Sequence, residues 1–254
     1  VKDVANNVEG TITKIYPSTA YASNTYYDMT ADLNVRDYDG DHYYQWDAHQ
    51  QYWYGYEWTK NLPGNTGQPT LNNGSSSNYA QNNSDSRWCH EGSGAFQATQ
   101  SCDTLPNVNE MTWYAAKGEP RWDADELWTT MGDLYKGGMW FKKKANIAGF
   151  TDSHHPDNAS TDLRDTYTRV AKAASQQLPV ITEMNQYFYL PFLGYYSTGP
   201  NNYKFQAAGI TGYYWTSSAV SSNQTGSYAL TINKGLATLQ DASPSNGMII
   251  QPFE

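Results

Sequence analysis

Short apolar runs separated by polar linkers dominate the end of the chain, at residues 212–218, 227–235 and 247–253. In the middle run Tyr228, Leu230 and Ile232 occupy one face of an extended chain. Ala229, Thr231 and Asn233 occupy the other face, as in a strand that is half buried in an antiparallel sheet. The pattern therefore predicts short antiparallel strands in which one face is buried and constrained by packing and the other face is open to solvent.

The same alternation divides residues 212–254 into a supporting set and an outward set. The supporting set is Tyr214, Leu230, Ile232, Ala237, Leu239, Met248 and Ile250. The outward set is Tyr213, Trp215, Val220, Ser222, Asn223, Gln224, Ala229, Thr231, Leu236, Thr238, Gln240, Asp241, Ser243 and Ser245. We expect the outward set to form a ligand-binding surface.

Two helices are predicted in the middle of the chain. Asn107 and Glu110 form a capping pattern, and Gly118 with Pro120 marks the end of this first helix. The second is expected from about Asp123 to Lys136, with acidic residues in its first turn and Gly137 after its end. Two helices followed by short antiparallel strands indicate an α+β domain.

The remaining segments carry weaker signals. Residues 10–17 alternate like an edge strand, residues 37–58 form an aromatic tract, and residues 61–87 have the composition of an irregular surface insertion. A further helix is possible over 161–177, a buried strand is expected over 186–193, and a long excursion over 197–208. We interpret the whole chain, 1–254, as a single domain in which residues 1–35 are an N-terminal strand or linker extension.

Composition narrows the classes of function. The net charge is −9 and the pI about 4.9, which argues against nucleic acid as a partner because phosphates require a basic surface. Aromatic residues make up 15% of the chain, with 22 Tyr and 9 Trp, and such tyrosine content is typical of binding surfaces. No apolar run is long enough to span a bilayer. Because the chain begins at Val1 without Met, we interpret it as a processed protein or an excised domain.

Several stretches resemble a known family. Residues 212–218, the spacing from Gly235 to Gly247 and the final apolar run are similar to the C-terminal repeat of bacterial C-type-lectin-like domains, including the formylglycine-generating-enzyme type. Residues 106–114 and 127–144 resemble surface and pilus-tip proteins of Bacteroides-type bacteria. The resemblance implies a C-type-lectin-like fold with two main helices, short antiparallel strands and long loops. It also implies an adhesin whose segment 212–254 is varied by a diversity-generating retroelement.

The two cysteines, Cys89 and Cys102, flank a short loop. In an exported protein they are candidates for a disulfide that stabilises the fold by about 3 kcal/mol. A pair of free thiols fits the sequence equally well.

Candidate metal and catalytic residues do not form a complete motif. His154, His155 and Asp157 lack a further ligand, and Asp37, Asp39 and Asp41 depart from the spacing of a calcium loop. The acids Asp123, Asp125, Glu126 and Asp133 leave a carboxylate-pair glycosidase open, although they also fit the first turn and outer face of the second helix. Formylglycine chemistry is not expected, because no cysteine follows Cys102.

From these observations we expect a non-enzymatic adhesin without metal or cofactor, located outside the cell at the surface or at a pilus tip. Its expected partners are a surface protein or glycan of host, bacterial or phage origin, and other pilus subunits through the N-terminal region. The alternatives are a secreted carbohydrate-active or modifying enzyme and a structural pilus subunit.

Overall fold

Twelve strands and one α-helix form the regular structure of the described residues, which in this computed structural model are 1–13, 20–26, 35–38, 40–60, 80, 82–197, 204–251 and 253. The helix, α1, spans Val108–Lys117. The strands are β1 Arg36–Asp37, β2 Tyr43–Tyr44, β3 Arg121–Thr130, β4 Asp133–Lys142, β5 Val170–Ala173, β6 Tyr187–Pro191, β7 Leu193–Ser197, β8 Lys204–Ala208, β9 Thr211–Ala219, β10 Ser227–Asn233, β11 Leu236–Ala242 and β12 Met248–Ile249.

These strands form two sheets. The first sheet has the order β1-β3-β4-β6. The second sheet has the order β2-β12-β9-β10-β11-β5, with β7 joined to β9 and β8 paired to β7. Strands β9, β10 and β11 are consecutive antiparallel neighbours at the centre of the second sheet. The predicted runs 212–218 and 227–235 correspond to β9 and β10, whereas β11 was not predicted as a strand. The predicted run 247–253 contains only the two-residue strand β12, which pairs with β9 in parallel.

Helix α1 begins as the sequence predicts. The side-chain oxygen of Asn107 accepts hydrogen bonds from the backbone N–H groups of Asn109 and Glu110, and the carboxylate of Glu110 accepts one from Asn107 N at 2.8 Å. These reciprocal bonds satisfy N–H groups that a helix start otherwise leaves unpaired. Gly118 follows the last residue of the helix, and its N–H donates to the carbonyls of Trp113 and Tyr114.

The prediction of a second helix over 123–136 is wrong. This stretch forms most of β3 and the start of β4, joined by a two-residue turn in which Met131 and Gly132 have φ values of 50° and 84°. Two positive φ values in succession are the geometry of a type I′ hairpin turn, which matches the twist of the flanking strands. Gly137 does not end a helix, because it lies inside β4 beside the ring of Phe192.

The possible helix over 161–177 is also absent, since its only regular element is β5, which pairs with β11. The expected fold class, α+β with two main helices in a C-type-lectin-like arrangement, is therefore wrong for the described residues. They are mostly β-sheet, with 35% in strands, 10% helical and one α-helix.

Other expected segments are distributed as follows. The strand expected at 186–193 is present as β6 and the start of β7. The excursion over 197–208 ends in β8, while residues 198–203 lie outside the described part of the chain. Most of the insertion 61–87, part of the extension 1–35 and residues 14–17 of the expected edge strand also lie outside it. Residues 10–13 are not in a strand.

The interior consists of two groups of buried apolar residues. The main core draws residues from both sheets and α1, including Met111, Phe141 and Leu230. A second core lies around Trp46, Trp215 and Ala229. Strand β10 contributes Leu230 to the main core and Ala229 to the second, so this part of the second sheet is covered on both faces.

Candidate functional site

The expected binding surface is built on three paired strands. Tyr213 of β9 is aligned with Thr231 of β10, which is aligned with Thr238 of β11. These cross-strand rows place the outward residues of the three strands on one face of the second sheet. The register agrees with the predicted alternation for these residues, but Asp241 is aligned with Tyr228 and so lies on the supporting face.

Part of that face is nevertheless buried. The expectation that Trp215, Val220, Ala229 and Thr238 are exposed is wrong, because each of them is buried. Val220 belongs to the main core and so does not lie on this face. Trp215 and Ala229 belong to the second core, where Trp46, Cys102 and Leu105 cover the outer face of the sheet. Strand alternation assigns a residue to a face, but it does not say whether another part of the chain covers that face.

The fully exposed members of the outward set gather at one end of the second sheet. Ser222, Asn223 and Gln224 lie in the turn between β9 and β10, Asp241 lies near the end of β11, and Ser243 follows that strand. These two segments are neighbours, because Ser227 of β10 is aligned with both Ala219 and Ala242. We call residues 221–226 and 241–245 the loop end.

Hydrogen bonds order the loop end. Val220 N donates to Gly226 O at 3.0 Å and closes the turn. Within the turn, the side-chain oxygen of Asn223 accepts from Thr225 N at 3.1 Å. The hydroxyl of Tyr167 donates to Asp241 Oδ1 at 2.7 Å. The loop end is therefore an ordered surface of short polar side chains.

The other outward residues are half-buried. They are Tyr213, Thr231, Leu236, Gln240 and Ser245. The ring of Tyr213 packs against that of Tyr195, with centroids 4.3 Å apart, and Tyr195 Oη accepts a hydrogen bond from Gln206 at 2.8 Å. Tyr195 was not among the predicted site residues, because it comes from β7 and only the sheet places it beside β9.

Most of the supporting set is buried as expected. Tyr214, Leu230, Ile232, Ala237 and Leu239 are buried in the main core, whereas Met248 is buried in the second core with Trp215 and Ala229. Ile250 is half-buried, and Ile249 is buried in its place. Ile249 pairs with Tyr43 of β2 on one side and with Tyr214 of β9 on the other, which encloses it.

Of the two alternatives for the cysteines, the structure has the pair of free thiols and not the candidate disulfide. Both thiols are free and buried. Cys102 Sγ accepts a hydrogen bond from Asp47 N at 3.3 Å, whereas Cys89 Sγ lies 3.7 Å from Glu91 Oε1. Burial raises the pKa of Cys102 to about 12 and raises that of Cys89 as well, so both thiols are poor nucleophiles at neutral pH.

Candidate metal ligands are engaged in other contacts. His155 Nδ1 accepts from Asp157 N, and the Asp157 carboxylate pairs with Lys117 Nζ at 2.5 Å. Asp37 accepts a hydrogen bond from Thr129, whereas Asp39 and the side chain of Asp41 lie outside the described structure. Among the described residues, no group of three or more His, Cys, Asp or Glu is placed to hold a metal ion.

The four candidate acids lie on the β3–β4 hairpin and not on a helix. Asp123 is buried and accepts hydrogen bonds from Asp125 N, Glu126 N and Trp140 Nε1. Asp125 is exposed, and Asp133 starts β4. The hydrogen bonds of the Asp123 carboxylate therefore stabilise the irregular backbone of β3 between Asp123 and Leu127, where the register with β4 shifts.

No protein-family model matches this chain, and no curated protein or solved structure is significantly similar to it. The likeness to bacterial surface proteins therefore stays a prediction from the sequence. Within the described residues, no helix has the length and apolar character needed to cross a membrane.

Proposed function

We propose that this protein is a non-enzymatic adhesin, exposed on a cell surface or at a pilus tip, that captures its ligand through the loop end. The ligand is a surface protein or glycan of host, bacterial or phage origin. The N-terminal region joins the protein to other pilus subunits. Under this proposal the protein binds its ligand without changing it.

One observation supports the proposal above the others. The loop end carries exposed Ser222, Asn223, Gln224, Asp241 and Ser243, and it is attached to strands whose neighbouring residues are buried. Ser227 and Tyr228, which follow the turn, are 1% and 0% exposed. A rigid sheet under short polar side chains allows those side chains to change without loss of the fold, as a diversified binding surface requires.

Replacement of the exposed loop-end side chains tests the proposal. We would change Ser222, Asn223, Gln224, Asp241 and Ser243 together to alanine and measure the adhesion of protein-coated beads to panels of bacterial and host cells. Exposed substitutions change stability by about 0.5 kcal/mol or less each, so the five together should cost at most about 2.5 kcal/mol. The variant should therefore stay folded at the temperature of the assay while adhesion is lost. A matched control replaces exposed Thr104, Gln176 and Thr182, outside the loop end, with alanine.

Equal adhesion of the loop-end variant, the control variant and the unmodified protein would show that the loop end is not the binding surface. If the loop-end variant unfolds, the fold needs these side chains, which contradicts the proposal that they can change without loss of the fold. Natural copies of the gene supply a second measurement, because their differences should concentrate in the loop end.

A further inference from the structure

A concave surface lies on the first sheet, and none of the residues that line it belongs to the loop end. It is a groove of about 700 Å³ between β1 and β6, and among the described residues it is lined by Arg36, Tyr38, Glu126, Trp140, Tyr187 and Tyr189, with others. This volume is within the range of about 300–1,000 Å³ that is usual for small-molecule sites. We call it the aromatic groove.

Aromatic rings form its wall. Trp140 of β4 and Tyr189 of β6 are a cross-strand pair with ring centroids 5.0 Å apart. Both side chains are half-buried, and Tyr187 lies two residues along the same strand. The groove therefore presents ring faces that are held in place and are still partly accessible.

A glycine determines where the Tyr189 ring lies. A Cβ at Gly138 would come within 2.4 Å of Tyr189 Cζ and Oη, so only glycine allows the ring to cover β4 at this point. Glycine at position 138 therefore leaves the room that the ring occupies.

One buried carboxylate orients two other groups of the groove. Asp123 Oδ2 accepts from the indole N–H of Trp140 at 3.2 Å and so constrains the ring. Asp123 Oδ1 accepts from the backbone N–H groups of Asp125 and Glu126 at 2.9 and 3.2 Å, which holds the bulge that carries Glu126 to the groove. Asp123 is therefore a positioning residue for both an aromatic face and a hydrogen-bonding carboxylate.

The charges around the groove are of both signs. Arg36, His42 and Lys143 line it together with Asp37 and Glu126. A polyanion or a polycation would meet like charges on this surface, so a neutral ligand fits it better. Carboxylate and guanidinium groups supply hydrogen-bond acceptors and donors, and aromatic faces supply apolar contact.

We propose that the aromatic groove binds a neutral oligosaccharide, whose C–H faces stack on Trp140 and Tyr189 and whose hydroxyl groups bond to Glu126 and Arg36. A sugar ring has an apolar face and a rim of hydroxyls that both donate and accept, which is the chemistry that this wall and rim complement. The site is separate from the loop end and does not depend on the adhesin proposal.

The test measures binding of neutral cello-, xylo-, manno- and chito-oligosaccharides to the full chain by calorimetry. At least one series should bind, and Trp140→Ala or Tyr189→Ala should weaken that binding about fivefold or more, since about 1 kcal/mol for a stacked ring corresponds to about fivefold. Tyr189→Phe keeps the ring and should bind within about twofold of the unmodified protein. Glu126→Gln, at an exposed position, should weaken binding several-fold without unfolding the chain.

The loop-end alanine variant serves as the control and should bind oligosaccharides normally. If it loses that binding while the groove variants keep it, the saccharide site lies at the loop end and the proposal is wrong. The proposal also fails if no series binds at millimolar concentration. A large decrease in melting temperature identifies a variant that has lost binding because it has unfolded. In that case the test rests on Glu126→Gln, which should bind several-fold more weakly, and on Tyr189→Phe, which should bind within about twofold of the unmodified protein.

Discussion

Asp162 shows at the scale of one residue how a polar contact ties the helix to the rest of the chain. Its carboxylate accepts hydrogen bonds from the Arg164 guanidinium and from the side-chain amide of Asn109, which is buried in the first turn of α1. Asn109 Oδ1 in turn accepts from Leu163 N at 3.0 Å. These bonds, with the Arg164 contribution the largest, lower the pKa of Asp162 to about 2.

A group whose pKa is lower in the folded state stabilises the fold above its unfolded pKa, and this stabilisation is lost as the pH falls toward the folded value. Between pH 6 and pH 3 the contribution of Asp162 should fall by about 1 kcal/mol. We therefore expect Asp162→Asn to be less stable at pH 6 and to lose less stability on acidification, as measured by urea unfolding at both pH values. Asp103→Asn, at an exposed position, is the control, and parallel pH profiles of Asp162→Asn and the unmodified protein would refute the assignment.

At the scale of single elements, the terminal strands depend on their inward residues. Leu230 is completely buried in the main core, whereas its neighbour Thr231 is half-buried. Leu230→Ala should lower the free energy of unfolding by about 2–5 kcal/mol, because it removes buried methyl groups and leaves a cavity. Thr231→Ala should cost less than about 1 kcal/mol. Denaturant unfolding of the two variants checks the contrast, and equal losses would mean that the burial of β10 is misassigned.

The β3–β4 hairpin shows why element type was harder to predict than element position. Acidic residues followed by apolar ones and a Gly137-Gly138 pair satisfy the signals of a helix with a defined end. In the structure β4 pairs with β3 on one side and β6 on the other, and Met139 and Phe141 become fully buried. Pairing with a strand about fifty residues away in the sequence outweighs the local preference, since propensity is weak compared with burial.

At the scale of the whole molecule, the fold should not depend on a metal ion. The described residues hold no cluster of three or more metal-ligating side chains, and Asp37 is already hydrogen-bonded to Thr129. Removal of a bound metal destabilises a protein by the free energy of binding, so an excess of chelator should leave the melting temperature unchanged. Thermal unfolding with and without chelator measures this, with added calcium as the control. A decrease of several degrees on chelation would reveal a metal site that the expectation missed.

The two proposed surfaces also differ in what the molecule requires of them. The loop end carries exposed short side chains, of which Asn223 and Asp241 also accept hydrogen bonds that order it. The aromatic groove depends on Gly138, Asp123 and the pairing of Trp140 with Tyr189. We therefore expect changes at the loop end to alter which ligand the protein binds. Changes at Gly138 or Asp123 should disturb the first sheet as well as binding in the groove.

The sequence by itself determined the features that arise from residues close together in the chain. The capping box of α1 joins residues three apart, and the alternation of Tyr228, Leu230 and Ile232 follows from the two-residue period of a strand. Only the tertiary structure decided which faces are covered and which rings meet. Trp46 donates its indole N–H to Thr216 O, 170 residues away, and the second core that includes Trp46 buries Trp215 and Ala229. Likewise Tyr38, Trp140 and Tyr189 line one groove because three strands converge there, and no local pattern records contacts between segments so far apart.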